Sequence, residues 1–133
     1  MTRLSALVER YVLVVEDDPT LRELYRSTLR AAGYTVVAVA DGLDALRRVE
    51  HEPPDAVVLD LGLPRLGGRD VQKELRSSPA TRYIPIVVVS GSDTSDLALD
   101  EFASVLNKPV SGDALVLAVQ NCLRRRRRLP DLT

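Results

Sequence analysis

Five short runs of apolar and β-branched residues constrain this chain more than anything else: Tyr11 to Val15, Thr35 to Ala40, Ala56 to Leu59, Ile84 to Val89 and Ser104 to Leu106. None shows the in-out alternation of a sheet with one wet face. Continuous apolar runs of this length suit strands buried on both faces, the usual state of parallel strands. Helical patterns separate them. Leu21, Leu24, Tyr25, Thr28, Leu29 and Ala32 recur at intervals of three and four and define one stripe. Asp18 is placed to cap that helix, Pro19 suits its first turn, and Gly33 suits the left-handed residue that ends it. Asp41 opens a second helix carrying Leu43, Leu46 and Val49, which Pro53 and Pro54 stop. Val71, Gln72 and Leu75 mark a third after Gly67 and Gly68, and Ser111 opens a last one carrying Leu115, Val119, Cys122 and Leu123. Between Ser90 and Phe102, the turn formers Gly91, Ser92, Thr94 and Ser95 precede Leu97 to Phe102, which predicts a short or irregular helix. Strict alternation with short links predicts a doubly wound α/β domain of five parallel strands and about five helices.

A chain of 133 residues, 45% hydrophobic, supports one core and leaves no room for a second, so residues 1–133 are expected to form a single domain. Its core is expected over about residues 11–123, with 124–133 as a basic C-terminal extension. Eighteen Lys and Arg against nineteen Asp and Glu exclude a globally basic nucleic-acid surface. The run Arg124 to Arg128 reads best as an extension of the last helix, where cations meet the negative helix end. Met1 to Arg10 is broken by Arg3, Ser5, Glu9 and Arg10 and does not resemble a secretory leader, so a cytoplasmic protein is expected. No apolar run approaches the roughly 20 residues needed to cross a bilayer. Cys122 stands alone on an apolar stripe and reads as a core residue, and the single histidine, His51, cannot assemble a triad or a zinc site.

In open parallel sheets, ligands bind beyond the carboxyl ends of the strands. Those ends carry Glu16, Asp17 and Asp18 after the first strand, Asp60 after the third, Ser90 after the fourth, and Asn107, Lys108 and Pro109 after the fifth. Carboxylates from separate stretches therefore converge on one edge. Two of them about 4 Å apart repel by roughly 4 kcal/mol at an effective dielectric near 20. Either one acid keeps its proton or a cation binds, and an all-oxygen cluster prefers Mg²⁺, Ca²⁺ or Mn²⁺ over zinc. Each piece also has a local reading. Glu16 to Asp18 could only cap a helix, and Asp60 could only form an Asx turn before Gly62 and Pro64.

Val12 to Val15 running into Glu16-Asp17-Asp18-Pro19, then Val58-Leu59-Asp60-Leu61-Gly62-Leu63-Pro64, then Val88-Val89-Ser90-Gly91, then Lys108-Pro109, resemble the receiver domains of two-component response regulators. The resemblance runs from about Tyr11 to Leu123. It implies a flavodoxin-like sheet in the order 2-1-3-4-5, a phosphoacceptor at Asp60, and a Mg²⁺ held by Glu16, Asp17, Asp60 and the main-chain carbonyl of Gly62. It also implies a phosphate-binding hydroxyl at Ser90, a charge-neutralising Lys108, and a Lys108-Pro109 bond able to be cis. A receiver catalyses only its own phosphorylation and dephosphorylation. The partners implied are a sensor histidine kinase or histidine phosphotransfer protein, and a downstream protein at the face of strand four, the helix after it, strand five and the last helix. Homodimers are compatible with such a face; direct nucleic-acid or membrane binding is not expected.

Three features depart from the family pattern. Val105 stands where an aromatic residue commonly rotates, and Phe102 is not at the matching position. The stretch from Ser90 to Lys108 is short, and Gly67 replaces the common Asp before Gly68. A receiver-shaped binding module that works without phosphorylation is therefore the alternative. A haloacid-dehalogenase-type phosphatase would require a second Asp where Gly62 stands.

Overall fold

The computed structural model describes residues 11–63, 65–91 and 102–128. The elements are β1 (Tyr11–Val15), α1 (Pro19–Ala31), β2 (Thr35–Val39), α2 (Gly42–His51), β3 (Ala56–Asp60), α3 (Gly68–Ser77), β4 (Ile86–Ser90), β5 (Ser104–Asn107) and α4 (Gly112–Arg128). Four helices are thus described. The short helix expected over Leu97 to Phe102 lies outside the described residues except for Phe102 itself, as do Met1 to Arg10 and the end of the basic extension.

All strand pairs are parallel, in the order β2-β1-β3-β4-β5. β1, β3 and β4 are buried at every residue. The expectation of two covered faces fails at the edges: β2 and β5, each with a single neighbour, are only half-buried. Successive side chains of a strand point to opposite faces, so one run of valines feeds two cores. Leu13, Val15, Val57, Leu59, Ile86 and Val88 meet Ala45 and Val49 of α2 and Val71 and Leu75 of α3. Val12, Val14, Val58, Val87 and Val89 meet Tyr25 and Leu29 of α1 and Leu115, Val119 and Cys122 of α4. Each such Val or Leu stabilises the fold by about 1.5 to 3 kcal/mol before entropy is counted.

The helix ends follow the local chemistry. Asp18 accepts hydrogen bonds from the N–H groups of Thr20 (2.9 Å) and Leu21 (3.3 Å). At the other end of α1, the Gly33 N–H donates to the Arg30 carbonyl and the Tyr34 N–H to the Leu29 carbonyl, a Schellman closure that requires the φ of +102° found at Gly33. Asp41 caps α2 through the Asp44 N–H at 2.9 Å, and the Ser111 hydroxyl caps α4 through the Ala114 N–H at 3.0 Å.

Two large stripe residues are exposed, Leu24 at 51% and Leu43 at 41%. Residues three apart slip by about 60° around a helix, so Leu43, Leu46 and Val49 span a wide arc rather than one line. The face α2 buries is Gly42, Ala45 and Val49. Ile84 lies before β4, its N–H donating to the Thr81 carbonyl in a turn, although its side chain is buried.

Candidate functional site

The parallel register brings the strand ends level. Val15 pairs with Leu59, Asp60 with Val89, and Ser90 with Asn107, so the residues that follow emerge on one rim. The Glu16 N–H donates to the Val39 carbonyl and the Lys108 N–H to the Ser90 carbonyl, extending the ladders by one residue at two places.

At this rim one carboxylate oxygen each from Glu16, Asp17 and Asp60 lies within 4.8 Å of the others. Glu16 and Asp60 are buried, whereas Asp17 faces solvent. Lys108 reaches over both buried acids. Its ammonium is 2.8 Å from Glu16 Oε1 and donates to Asp60 Oδ2 at 3.3 Å. The Gly62 N–H donates to Asp60 Oδ1 at 2.9 Å, so Asp60 does form the Asx turn of its local reading. That turn aims the carboxylate at the cluster. Likewise Asp18 caps α1 while its own N–H donates to Glu16 Oε2 at 3.1 Å.

Burial is the main cause that lifts the Glu16 carboxyl up to about 7, with Lys108 and the Asp18 N–H pulling it down and the Asp60 charge adding to the rise. For Lys108 burial opposes the charge, but Glu16 and Asp60 outweigh it and raise the ammonium above its ordinary value. Glu16 Oε1 is fully buried with the Lys108 ammonium 2.8 Å away. An all-oxygen, net-negative donor set fits a hard divalent cation.

Ser90 ends β4 with its side chain buried. The Lys108-Pro109 bond is cis. Phe102 packs in the core on the α2 and α3 side, with half-buried Val105 against the same cluster. One participant was not singled out from the sequence. The Arg22 guanidinium donates to the carbonyls of Glu16 (3.1 Å) and Asp17 (3.3 Å) and so holds the backbone of the acidic pair. Its signal was its position one turn after the Asp18 cap.

The family model for the response regulator receiver domain matches residues 12–120, and the chain belongs to that family. Response regulator MprA of Mycobacterium ulcerans is 38% identical over 121 residues, covering 86% of this chain and 50% of the relative; MprA of Mycobacterium leprae is 36% identical over 86% and 51%. The chain thus spans about half the length of these relatives. Among solved structures, the receiver domain of a signal transduction histidine kinase from Syntrophus aciditrophicus has a TM-score of 0.82 and 27% identity, covering 93% of this chain and 97% of that one. The chemotaxis response regulator CheY4 of Vibrio cholerae has a TM-score of 0.77 and 27% identity, covering 86% and 99%. The protein is a receiver domain of the two-component class. Among the described residues no helix is long and apolar enough to cross a membrane.

Proposed function

We propose that Asp60 takes a phosphoryl group from a sensor histidine kinase or a histidine phosphotransfer protein in the cytoplasm, in a Mg²⁺-dependent reaction. The observation that carries this reading is the meeting of Glu16, Asp17 and Asp60 within 4.8 Å, with the Lys108 ammonium 3.3 Å from Asp60. Glu16, Asp17, Asp60 and the Gly62 carbonyl are the residues that would hold Mg²⁺, which supplies charge neutralisation and orientation for the phosphoryl oxygens.

The chain's own groups do the rest. An Asp60 carboxylate oxygen forms the new P–O bond as the P–N bond of the donor phosphohistidine breaks, with the bonding pair leaving on the imidazole nitrogen. Repulsion between carboxylate and phosphate is the main obstacle, and Lys108 offsets it by turning from Asp60 toward the incoming oxygens. The Ser90 hydroxyl donates to one of those oxygens. Its movement biases the face built from β4, β5, α4 and the segment between β4 and β5, where a downstream protein or a second copy docks. On this reading the chain catalyses only its own phosphorylation and dephosphorylation.

Incubation with a small phosphodonor and MgCl₂, read by intact mass, tests it. Wild type gains one phosphoryl group, and both Asp60→Asn and EDTA abolish the gain. A wild-type protein that takes no label leaves the phosphorylation-independent binding module as the surviving reading.

A further inference from the structure

The loop that connects β3 to α3, described at residues 61–63 and 65–67, carries Gly62, whose N–H orients Asp60. It is pinned from outside the cluster. A Cβ on Gly42, the first residue of α2, would lie 2.4 Å from the Leu66 carbonyl oxygen and 2.8 Å from Val71 Cγ2, so the loop rests directly on the start of α2. A Cβ on Gly68 would lie 2.5 Å from the Asp60 carbonyl oxygen, so the loop's far end folds back onto the strand that launched it. One residue before the Leu66 contact, Arg65 pairs with Asp41 Oδ2.

Asp41 is a shared anchor. Its side chain is 7% exposed; Oδ1 caps α2 through the Asp44 N–H while Oδ2 takes the Arg65 guanidinium. Arg65 has φ at +59°, a region in which a β-carbon is unfavourable and which persists only where the surroundings impose it. An exposed ion pair alone contributes little. Here one partner is buried and already committed to a helix cap, so the pair ties the loop to a rigid element rather than to solvent.

We infer that the Arg65–Asp41 pair is a latch that holds the Gly62 end of the loop in register with Asp60 and thereby sets the affinity of the acidic cluster for Mg²⁺. Both are positioning residues, and the inference rests on the metal reading proposed above. The test follows the Gly62 amide by NMR in wild type, Arg65→Gln, Asp41→Asn and the double variant, first without metal and then through a MgCl₂ titration. Asn caps a helix as well as Asp does, so Asp41→Asn removes the charge and keeps the cap. Each single variant shifts the metal-free Gly62 amide and weakens Mg²⁺ binding by about tenfold, the low end for an outer-shell partner. The double variant goes no further than either single one, because the two changes break the same contact. Arg65→Lys recovers most of the affinity. Variants that lose stability yet keep wild-type Mg²⁺ affinity and an unmoved Gly62 amide overturn the latch. A wild type that binds no Mg²⁺ overturns the metal reading instead, and the metal-free Gly62 shift then decides the latch alone.

Discussion

Replacing Lys108 with Met probes the electrostatic balance of the rim. The ammonium lies 2.8 Å from Glu16 and 3.3 Å from Asp60. At an effective dielectric near 20 these separations correspond to gross attractions of about 6 and about 5 kcal/mol. Most of that is offset. The ammonium gives up hydration to reach the site, its side chain being only 21% exposed, and the Met stem keeps the packing of the lysine methylenes. Glu16 can also relieve the deficit by taking up a proton, since burial has already lifted its carboxyl to about 7. A net loss of about 2 kcal/mol is expected in EDTA, below the roughly 3 to 5 kcal/mol of a fully buried broken pair. A divalent cation on the same oxygens replaces the missing charge, so saturating MgCl₂ recovers most of the loss. The variant then binds Mg²⁺ more tightly than wild type, by about tenfold for each 1.4 kcal/mol recovered. Urea unfolding of both proteins, with EDTA and with MgCl₂, measures all four stabilities. A loss of equal size in both conditions would falsify the argument and make Lys108 a packing residue.

Four further outcomes are expected. Gly68→Ala drives a methyl group onto the Asp60 carbonyl at 2.5 Å and Leu61 Cα at 2.7 Å, both backbone, and loses about 1 to 3 kcal/mol together with Mg²⁺ affinity. Gly33→Ala, where φ is +102° with open space around it, loses about 1 kcal/mol in urea melts and leaves the Mg²⁺ titration unchanged. Asp18→Ala removes the α1 cap while keeping the backbone N–H that donates to Glu16, and lowers stability by about 1 kcal/mol; an unchanged urea midpoint would contradict the cap. Glu16→Gln reports the buried acid through pH. The carboxyl is raised in the fold, so the metal-free native state binds its proton more tightly than the unfolded chain does. Its ionisation penalty is absent below the ordinary value of 4.5, grows up to about 7 and is complete above. The variant therefore gains on wild type across that window in EDTA and not beyond it; a pH-independent difference refutes the assignment.

The runs of β-branched residues between amphipathic stripes, with Asp18, Asp41 and Ser111 as caps and Gly33 as terminator, are local features, and the α/β class follows from them because hydrogen bonding within a turn and side-chain period depend on near neighbours. The strand-end rule likewise assigns Glu16, Asp17, Asp60, Ser90 and Lys108 to one edge from the sequence alone. Three things depended on tertiary packing. Leu24 and Leu43 look core-facing by spacing, yet which arc of a helix is covered is decided by the neighbour it meets, and α2 is covered on its small-residue side. The edge strands β2 and β5 read like central ones, because position in the sheet leaves little mark on composition. The carbonyl bonds of Arg22 and the Arg65–Asp41 pair join groups whose meeting depends on loop path rather than residue type. By itself the sequence determined which atoms could carry the chemistry. Only the folded chain decided how near they stand and what holds them, since distances across the rim arise from the packing of four separate segments and from no one of them.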